Sequence, residues 1–330
     1  MHTNKFKRLS SICIIFYCIL FLISCGNESI SMQYNVESEN TAFVLKQNAD
    51  DSAFSAPFAT QLCVTGSGSE TTVTSLALDD LGAAALFNLN SQEVIYAKNA
   101  HAEMHPASLT KIMTALVALQ HGNPDDIISV SANVKIQESG ATLCGLEEGD
   151  KLTLSQALYA LLMNSANDAG VAIAEHIGGS VEGFAKMMND EAKRLGATNT
   201  NFKNPHGLTE DGHYTTAYDL YLIFNEAVKY DAFNEIISAT SYTTTYTDKA
   251  GNAKQLSLVT TNQYLKGVYP IPENITIIGG KTGTTTAARN CLILLCKDAS
   301  GNPYVAVILG SPERGILYEQ MTDLLNEINK

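Results

Sequence analysis

Three short groupings of hydroxyl, amine and amide side chains occur in order along the 330 residues: Ser108-Leu109-Thr110-Lys111, Ser165-Ala166-Asn167 and Lys281-Thr282-Gly283. A serine hydroxyl is a weak nucleophile and needs a base within hydrogen-bond reach. Positions i and i+3 share a helix face, so the Lys111 amine can reach the Ser108 hydroxyl. No histidine is placed by the sequence to do the same work. A free lysine of pKa ~10.4 is neutral only about once in a few thousand molecules at pH 7. Lys111 therefore needs partial burial and a second cation nearby, and Lys281 is the candidate. The chemistry these residues predict is acyl transfer, with Ser108 as nucleophile and Lys111 as general base. In that scheme Ser165 relays a proton to the leaving amine and Asn167 orients the substrate amide. Lys281 and Thr282 hold a terminal carboxylate, and Gly283 lets a ligand backbone approach the strand edge. The backbone amides of Ser108 and Thr284 form the oxyanion hole.

The specificity lies in the order of the three groupings. Ser-x-x-Lys and Lys-Thr-Gly each occur once, but Ser-x-Asn recurs. Ser38-Glu39-Asn40 lies in a polar, unpatterned stretch. Ser131-Ala132-Asn133 repeats the same tripeptide in Ile127-Ile128-Ser129-Val130-Ser131, which reads as a strand or extended loop close after the first helix. Ser165-Ala166-Asn167 instead interrupts two helices, where a turn can project side chains into a cleft. It is the preferred member of the set.

The elements that must position these groups follow from periodicity. Ala83–Asn88 and Val94–Ala97, with a turn at Asn90-Ser91, read as a hairpin. From Ser108 the period becomes helical, with Ile112, Leu116 and Leu119 on one face and His121-Gly122 as the stop. Helices are expected through 154–162, capped by Thr153, and at about 168–177, 181–195 and 216–229. Alternation returns at 241–247 and 255–260, then more strongly at 275–281, 288–297 and 303–310, before a closing amphipathic helix at 314–329. Strands at both ends and helices between them predict an α/β (α+β) fold. One antiparallel sheet is built from both ends of the chain and flanked by helices, with an all-helical lobe inserted over about 108–240. A cleft between sheet and lobe is the expected site.

The trio on helix start, inter-helix turn and strand resembles the motif set of penicillin-binding proteins and β-lactamases. Further stretches resemble the low-molecular-weight penicillin-binding proteins, the serine D-Ala-D-Ala carboxypeptidases. They are Asn204-Pro205-His206-Gly207-Leu208, His213-Tyr214-Thr215-Thr216-Ala217 with Asp219-Leu220, and Lys281-Thr282-Gly283-Thr284-Thr285 with Cys291. The resemblance runs from about residue 75 to the end and implies a β-lactamase/transpeptidase-like fold. It implies peptidoglycan stem peptides as substrate, β-lactam antibiotics as inhibitors, and neither metal nor cofactor. Two departures from the family pattern stand out: many members carry an extra β-rich domain and an amphipathic membrane helix, which are not expected here after the last helix, and Gly280 stands where relatives often have an apolar residue, which is expected to loosen the strand edge. The rival class A β-lactamases add a deacylating Glu in a Glu-x-x-x-Asn loop; Glu210 and Asp211 lack an Asn four residues later. A catalytically silent wall-binding or sensor lipoprotein is the other rival, and intact Ser108, Lys111 and Lys281 argue against it.

The start of the chain sets the compartment. Lys5, Lys7 and Arg8 precede an apolar run, Ile12 to Ile23, too short for the roughly 20 residues of a membrane span. The run ends in Leu22-Ile23-Ser24-Cys25-Gly26, which resembles a lipobox, so 1–25 is expected to be a lipoprotein signal with Cys25 lipidated, with a plain secretory signal cleaved elsewhere or an uncleaved anchor as the alternatives. Residues 26–75 read as a polar tether and 76–330 as the catalytic domain, an extracytoplasmic monomer anchored to the membrane by its lipid. Removal of the signal takes Lys plus Arg from 21 to 18 against 34 acids, changing the net charge from −13 to −16. Such a charge gives no basic face for nucleic acid. Cys63, Cys144, Cys291 and Cys296 show no metal spacing. They read as buried free thiols, with a disulfide as the alternative. His101-Ala102-Glu103-Met104-His105 has neither zinc-protease nor deaminase order, and Pro106 ends it as a loop. His206 and His213 read as structural groups near the cleft.

Overall fold

A continuous apolar run, Ala83–Phe87, forms the first strand described and pairs with the next. In this computed structural model the described residues are 62–64, 76, 78, 82–138 and 140–330, all within the unit Pro57–Lys330. Strands β1 (Ala83–Asn88) and β2 (Glu93–Lys98) form the expected antiparallel hairpin. Asn88 closes its turn, Oδ1 accepting from the amides of Asn90 at 2.9 Å and Ser91 at 3.0 Å, the Asx geometry open to a short amide side chain. A 3₁₀ turn, Ala107–Leu109, leads into α1 (Thr110–His121). Then come β3 (Ile127–Ser129), β4 (Lys151–Thr153), α2 (Leu154–Met163), α3 (Asn167–Gly178), α4 (Val181–Arg194), α5 (Ala217–Ala227) and α6 (Asp231–Ser238). The chain finishes with β5 (Ser241–Thr247), β6 (Ala253–Val259), β7 (Thr276–Thr285), β8 (Arg289–Lys297), β9 (Pro303–Ser311) and α7 (Arg314–Asn326).

The main sheet has the order β2-β1-β9-β8-β7, so both ends of the described chain build it. Every pair in it is antiparallel. Both faces are buried, and residues divide between them with period two. Ala83, Ala85 and Phe87 of β1, Cys291, Ile293 and Leu295 of β8, and Val305, Val307 and Leu309 of β9 join the core shared with the helical lobe. Their neighbours Ala84, Leu86, Leu292, Leu294, Cys296, Ala306 and Ile308 pack under α7 with Leu317, Tyr318, Met321 and Leu324. Each such large side chain contributes roughly 1.5–3 kcal/mol by leaving water. Cys291 and Cys296 lie on opposite faces of the sheet, and all four described cysteines are free.

Helix starts follow their caps. Thr153 Oγ1 accepts from Gln156 N at 3.1 Å while the Gln156 side chain accepts from Thr153 N at 2.9 Å, a reciprocal capping box. Ser180 and Thr216 cap α4 and α5 in the simpler way. Three expectations need correction. The lobe is not all-helical: β3 and β4 pair with each other, and β4 pairs with β5 in a second sheet of order β3-β4-β5-β6. β3 falls in the segment 127–131 read as a strand or extended loop, but three residues are too few to display a period of two, which is why β4 was not visible in the sequence. Helix α6 was not anticipated either. Gly280 does not loosen its strand: β7 stays paired to β8 from Gly279 to Thr285, and a Cβ at Gly280 would lie 2.1 Å from Ile293 O. Glycine there is a condition of pairing so closely.

The expected signal segment 1–25, Cys25 within it, and most of the expected tether lie outside the described residues. Residues 62–64 fall inside the tether range, yet Cys63 is fully buried. Its amide donates to Tyr221 Oη at 2.9 Å and its carbonyl accepts from Tyr218 Oη at 3.0 Å. No helix among the described residues is long and apolar enough to cross a membrane.

Candidate active site

The site is assembled on a strained elbow. Ala107 has φ +47°, a left-handed conformation uncommon for a residue with a Cβ, and Ser108 follows it in the 3₁₀ turn before α1. Such strain persists only where neighbours enforce it. The neighbours are visible. Gly207 (φ +84°) packs its Cα against the elbow so closely that a Cβ would stand 1.8 Å from Ala107 O. A Cβ on Gly283 of β7 would stand 3.0 Å from Ser108 N. The elbow is thus gripped between the Asn204–Leu208 loop and the edge strand β7.

Lys111 sits in the first turn of α1 with no exposed surface. Its Nζ is 2.8 Å from Ser108 Oγ, 2.7 Å from Asn167 Oδ1 and 2.6 Å from His206 O. Two of these partners, an amide oxygen and a backbone carbonyl, can only accept. When the amine is neutral its two N–H groups satisfy them, and its lone pair is left facing the Ser108 hydroxyl. Burial above all, and the charge of Lys281 after it, hold Lys111 well below the ordinary lysine range, against an opposing pull from Asp168. This meets the requirement for a base, and the carbonyl of His206 is a third partner that side-chain reasoning had no means of finding.

Ser165 lies between α2 and α3 at φ +63°, and its Oγ accepts from Lys281 Nζ at 3.0 Å. Lys281 is 1 % exposed, also donates to Thr282 O at 2.8 Å, and is pushed down to about 7 by burial. The sequence reading gave Lys281 a carboxylate to hold directly. Here its ammonium points inward to Ser165, and Thr282, Gly283 and Thr284 are the parts of β7 that line the cleft. Thr282 Oγ1 is 2.7 Å from Thr261 Oγ1. The cleft, about 250 Å³, also brings in Ser108, Ser165 and Thr142, together with Lys266 and Arg314. Those two cations are exposed and make no ion pair among the described residues. They are the groups on the cleft wall with charge to offer an anion. Neither belongs to a recognisable motif, so only folding reveals them. Among the described residues lining the cleft there is no Asp or Glu.

The alternative tripeptide is elsewhere and otherwise engaged. Ser131 Oγ caps the turn Ala132–Val134, accepting from Asn133 N at 3.0 Å and donating to Glu175 Oε2 at 2.6 Å. The Asn204–Leu208 loop is shaped by Asn204, whose Oδ1 accepts from Gly207 N at 2.8 Å and whose Nδ2 donates to Leu208 O at 3.1 Å. His213 accepts from Lys203 N at Nδ1 (3.2 Å), so its Nε2 donates to Thr110 Oγ1 (2.9 Å) beside the elbow. Burial brings His206 down to about 3 and His213 to about 4, so both are neutral supports. The segment His101–His105 belongs to a loop, Met104 bridging to Thr215.

Comparison with known proteins agrees with this geometry. A family profile described as D-alanyl-D-alanine carboxypeptidase matches residues 70–313. The D-alanyl-D-alanine carboxypeptidase DacF of Bacillus subtilis (strain 168) is 38% identical over 252 residues, covering 74% of this chain and 60% of that protein. DacD of Salmonella typhimurium, of the same description, is 30% identical over 255 residues, covering 74% and 62%. The chain therefore spans about three fifths of the length of these curated relatives. The Streptomyces K15 DD-transpeptidase structure superposes with a TM-score of 0.71 at 27% identity, covering 77% of this chain and 98% of that one. A D-alanyl-D-alanine carboxypeptidase structure from Mycobacterium tuberculosis gives 0.67 at 26% identity, covering 81% and 96%.

Proposed function

The chain belongs to the D-alanyl-D-alanine carboxypeptidase family, and we propose from that premise that it is a serine-type carboxypeptidase removing the terminal D-Ala from peptidoglycan stem pentapeptides. One observation carries the reading: Lys111 Nζ lies 2.8 Å from Ser108 Oγ with its other two contacts taken by acceptor-only oxygens. The Ser108 Oγ–carbon bond forms on the penultimate D-Ala carbonyl as the hydroxyl proton passes to Lys111. The resulting oxyanion is met by the backbone amides of Ser108 and Thr284. When the C–N bond breaks, the departing D-Ala amine takes up a proton through Ser165, whose Oγ is held by Lys281. Asn167 gives its Oδ1 to Lys111, which leaves its Nδ2 to orient the substrate amide. Thr282, with Lys266 and Arg314 on the same wall, receives the terminal carboxylate. Water then hydrolyses the ester, releasing the shortened peptide and restoring Ser108. A β-lactam carbonyl enters the same step and leaves its ring nitrogen attached, giving a slowly hydrolysed ester. Among the described residues no acid lines the cleft to activate a deacylating water, which favours this reading over a β-lactamase. Lipidation at Cys25 would hold the enzyme, a monomer, at the outer face of the cell membrane.

The test is product analysis on a pentapeptide ending in D-Ala-D-Ala. The wild type should release free D-Ala and Ser108→Ala should release none. Rapid multiple turnover of nitrocefin would move the reading to a β-lactamase, and penicillin binding without D-Ala release would move it to an endopeptidase.

A further inference from the structure

Asp168, next to Asn167 in the first turn of α3, takes no part in the steps above, yet it is 1 % exposed and makes no ion pair among the described residues. A buried carboxylate without a cation must be satisfied by hydrogen bonds. Three consecutive amides provide them. Cys144 N donates to its Oδ1 at 3.0 Å, and Gly145 N and Leu146 N donate to its Oδ2 at 2.8 and 3.0 Å. The Cys144 thiol adds a contact at 3.4 Å to Oδ1, and Ala169 N donates to Oδ1 at 3.0 Å. Gly145, at φ +85°, curls the chain so that successive amides converge on one point.

The loop so held is a wall of the cleft. Thr142 lines it, and Thr142 O accepts from Asn167 N at 2.8 Å. Residue 167 therefore grips the loop through its backbone and residue 168 through its side chain, while the Asn167 side chain reaches Lys111.

We infer that Asp168 is a positioning residue for acyl transfer: it holds the Thr142–Leu146 loop against the cleft and supplies the buried negative charge against which Lys111 accepts the Ser108 proton. This deepens the reading of function above and rests on it. As the Ser108 oxygen bonds to the carbonyl carbon, Lys111 passes from amine to ammonium in a site that already contains Lys281. The titratable groups around it are Lys281 on β7, His206 on the Asn204–Leu208 loop and Asp168 on α3, and Asp168 is the acid among them. The Cys144 thiol facing Asp168 is pushed up, by burial first and by the carboxylate next, and stays protonated.

The test uses the full chain and measures second-order acylation by fluorescent penicillin across about pH 5 to 9, beside D-Ala release. Asp168→Asn should acylate at least about tenfold more slowly, because loss of geometry around the reacting atoms costs on that scale. Its acid limb should move to lower pH, since removing an anion lets Lys111 lose its proton more readily. A loop that merely loosened and admitted water would move that limb to higher pH, and that result overturns the assignment, as does a rate within about twofold of wild type. Should Asp168→Asn fail to fold, Gly145→Pro removes one amide donor to the carboxylate and the φ of +85° that aims its neighbours. It should slow acylation by at least about tenfold with no move of the limb to lower pH, since Asp168 keeps its charge, and wild-type acylation by that variant would equally refute the inference. Unaffected variants beside an active wild type sink this inference alone. A wild type that is neither labelled nor releases D-Ala sinks the reading of function, and this inference with it.

Discussion

Gly207→Ala addresses a residue that touches no reacting atom, and its consequence can be worked from distances. The new Cβ would stand 1.8 Å from Ala107 O, 2.4 Å from Ala107 C and 2.8 Å from Thr110 Oγ1. To reach ordinary contact the loop and the elbow must separate by more than about 1 Å, because neither obstacle at Ala107 is a flexible side-chain end. The residue also occupies φ +84°, where a Cβ costs roughly 1–2 kcal/mol. Overpacking in a closed site adds roughly 1–3 kcal/mol. A loss of about 2–5 kcal/mol in stability is expected by urea unfolding. The functional loss is separate. Separation moves the Ser108 elbow relative to Lys111, or His206 O away from Lys111, and misplacement by about 1 Å costs on the order of 10²-fold in rate. Acylation by fluorescent penicillin, measured at a temperature where the variant remains folded, should fall by that order. A variant with wild-type midpoint and acylation within about twofold would show that the Asn204–Leu208 loop does not brace the elbow.

Other consequences are independent of that loop. Lys281→Met removes a charge that lowers Lys111, so the acid limb of the acylation profile should move to higher pH and the rate at neutral pH should fall; a limb that stays put would mean Lys281 does not act on Lys111. Thr153→Ala deletes one half of the α2 capping box and should cost about 1 kcal/mol, read from the urea midpoint, with little change in acylation. Stability should rise with pH in two windows, because a buried base whose folded pKa is depressed leaves the unfolded chain holding more protons. His206 and His213, at about 3 and about 4, give the first window up to their ordinary value of 6.5. Lys281, at about 7, gives the second, at roughly 1 kcal/mol per pH unit. Above about pH 9 the buried thiols of Cys291 and Cys296, pushed up to about 12, reverse the trend. Urea midpoints across pH should therefore peak near 9, and a peak below 7 would contradict the buried amine.

Much of this site was legible because its chemistry is carried by side chains at short spacings. Ser108 and Lys111 meet within three residues, and the preference for Ser165 over Ser131 rested on the turn between two helices, where the structure places it. The main sheet was legible because β1, β8 and β9 alternate between two buried faces. What escaped was carried by backbone or by tertiary proximity. The third partner of Lys111 is a carbonyl, which has no residue type to signal it. Lys266 and Arg314 reach the cleft from separate segments, one after β6 and one at the start of α7. The burial of Lys281 and its 3.0 Å contact with Ser165 arise from tertiary packing and have no sign in the Lys-Thr-Gly tripeptide itself. The pairing of β3, β4 and β5 was hidden by strand length, since pairing between three-residue segments depends on neighbours distant in sequence.

The central claim is that Ser108 forms the acyl-enzyme. Peptide mapping by mass spectrometry after brief exposure to benzylpenicillin tests it most directly. One adduct of the mass of the intact antibiotic is expected, located on Ser108 and absent from Ser108→Ala. An adduct on Ser165 or on another residue, or none at all in a folded protein, would contradict it.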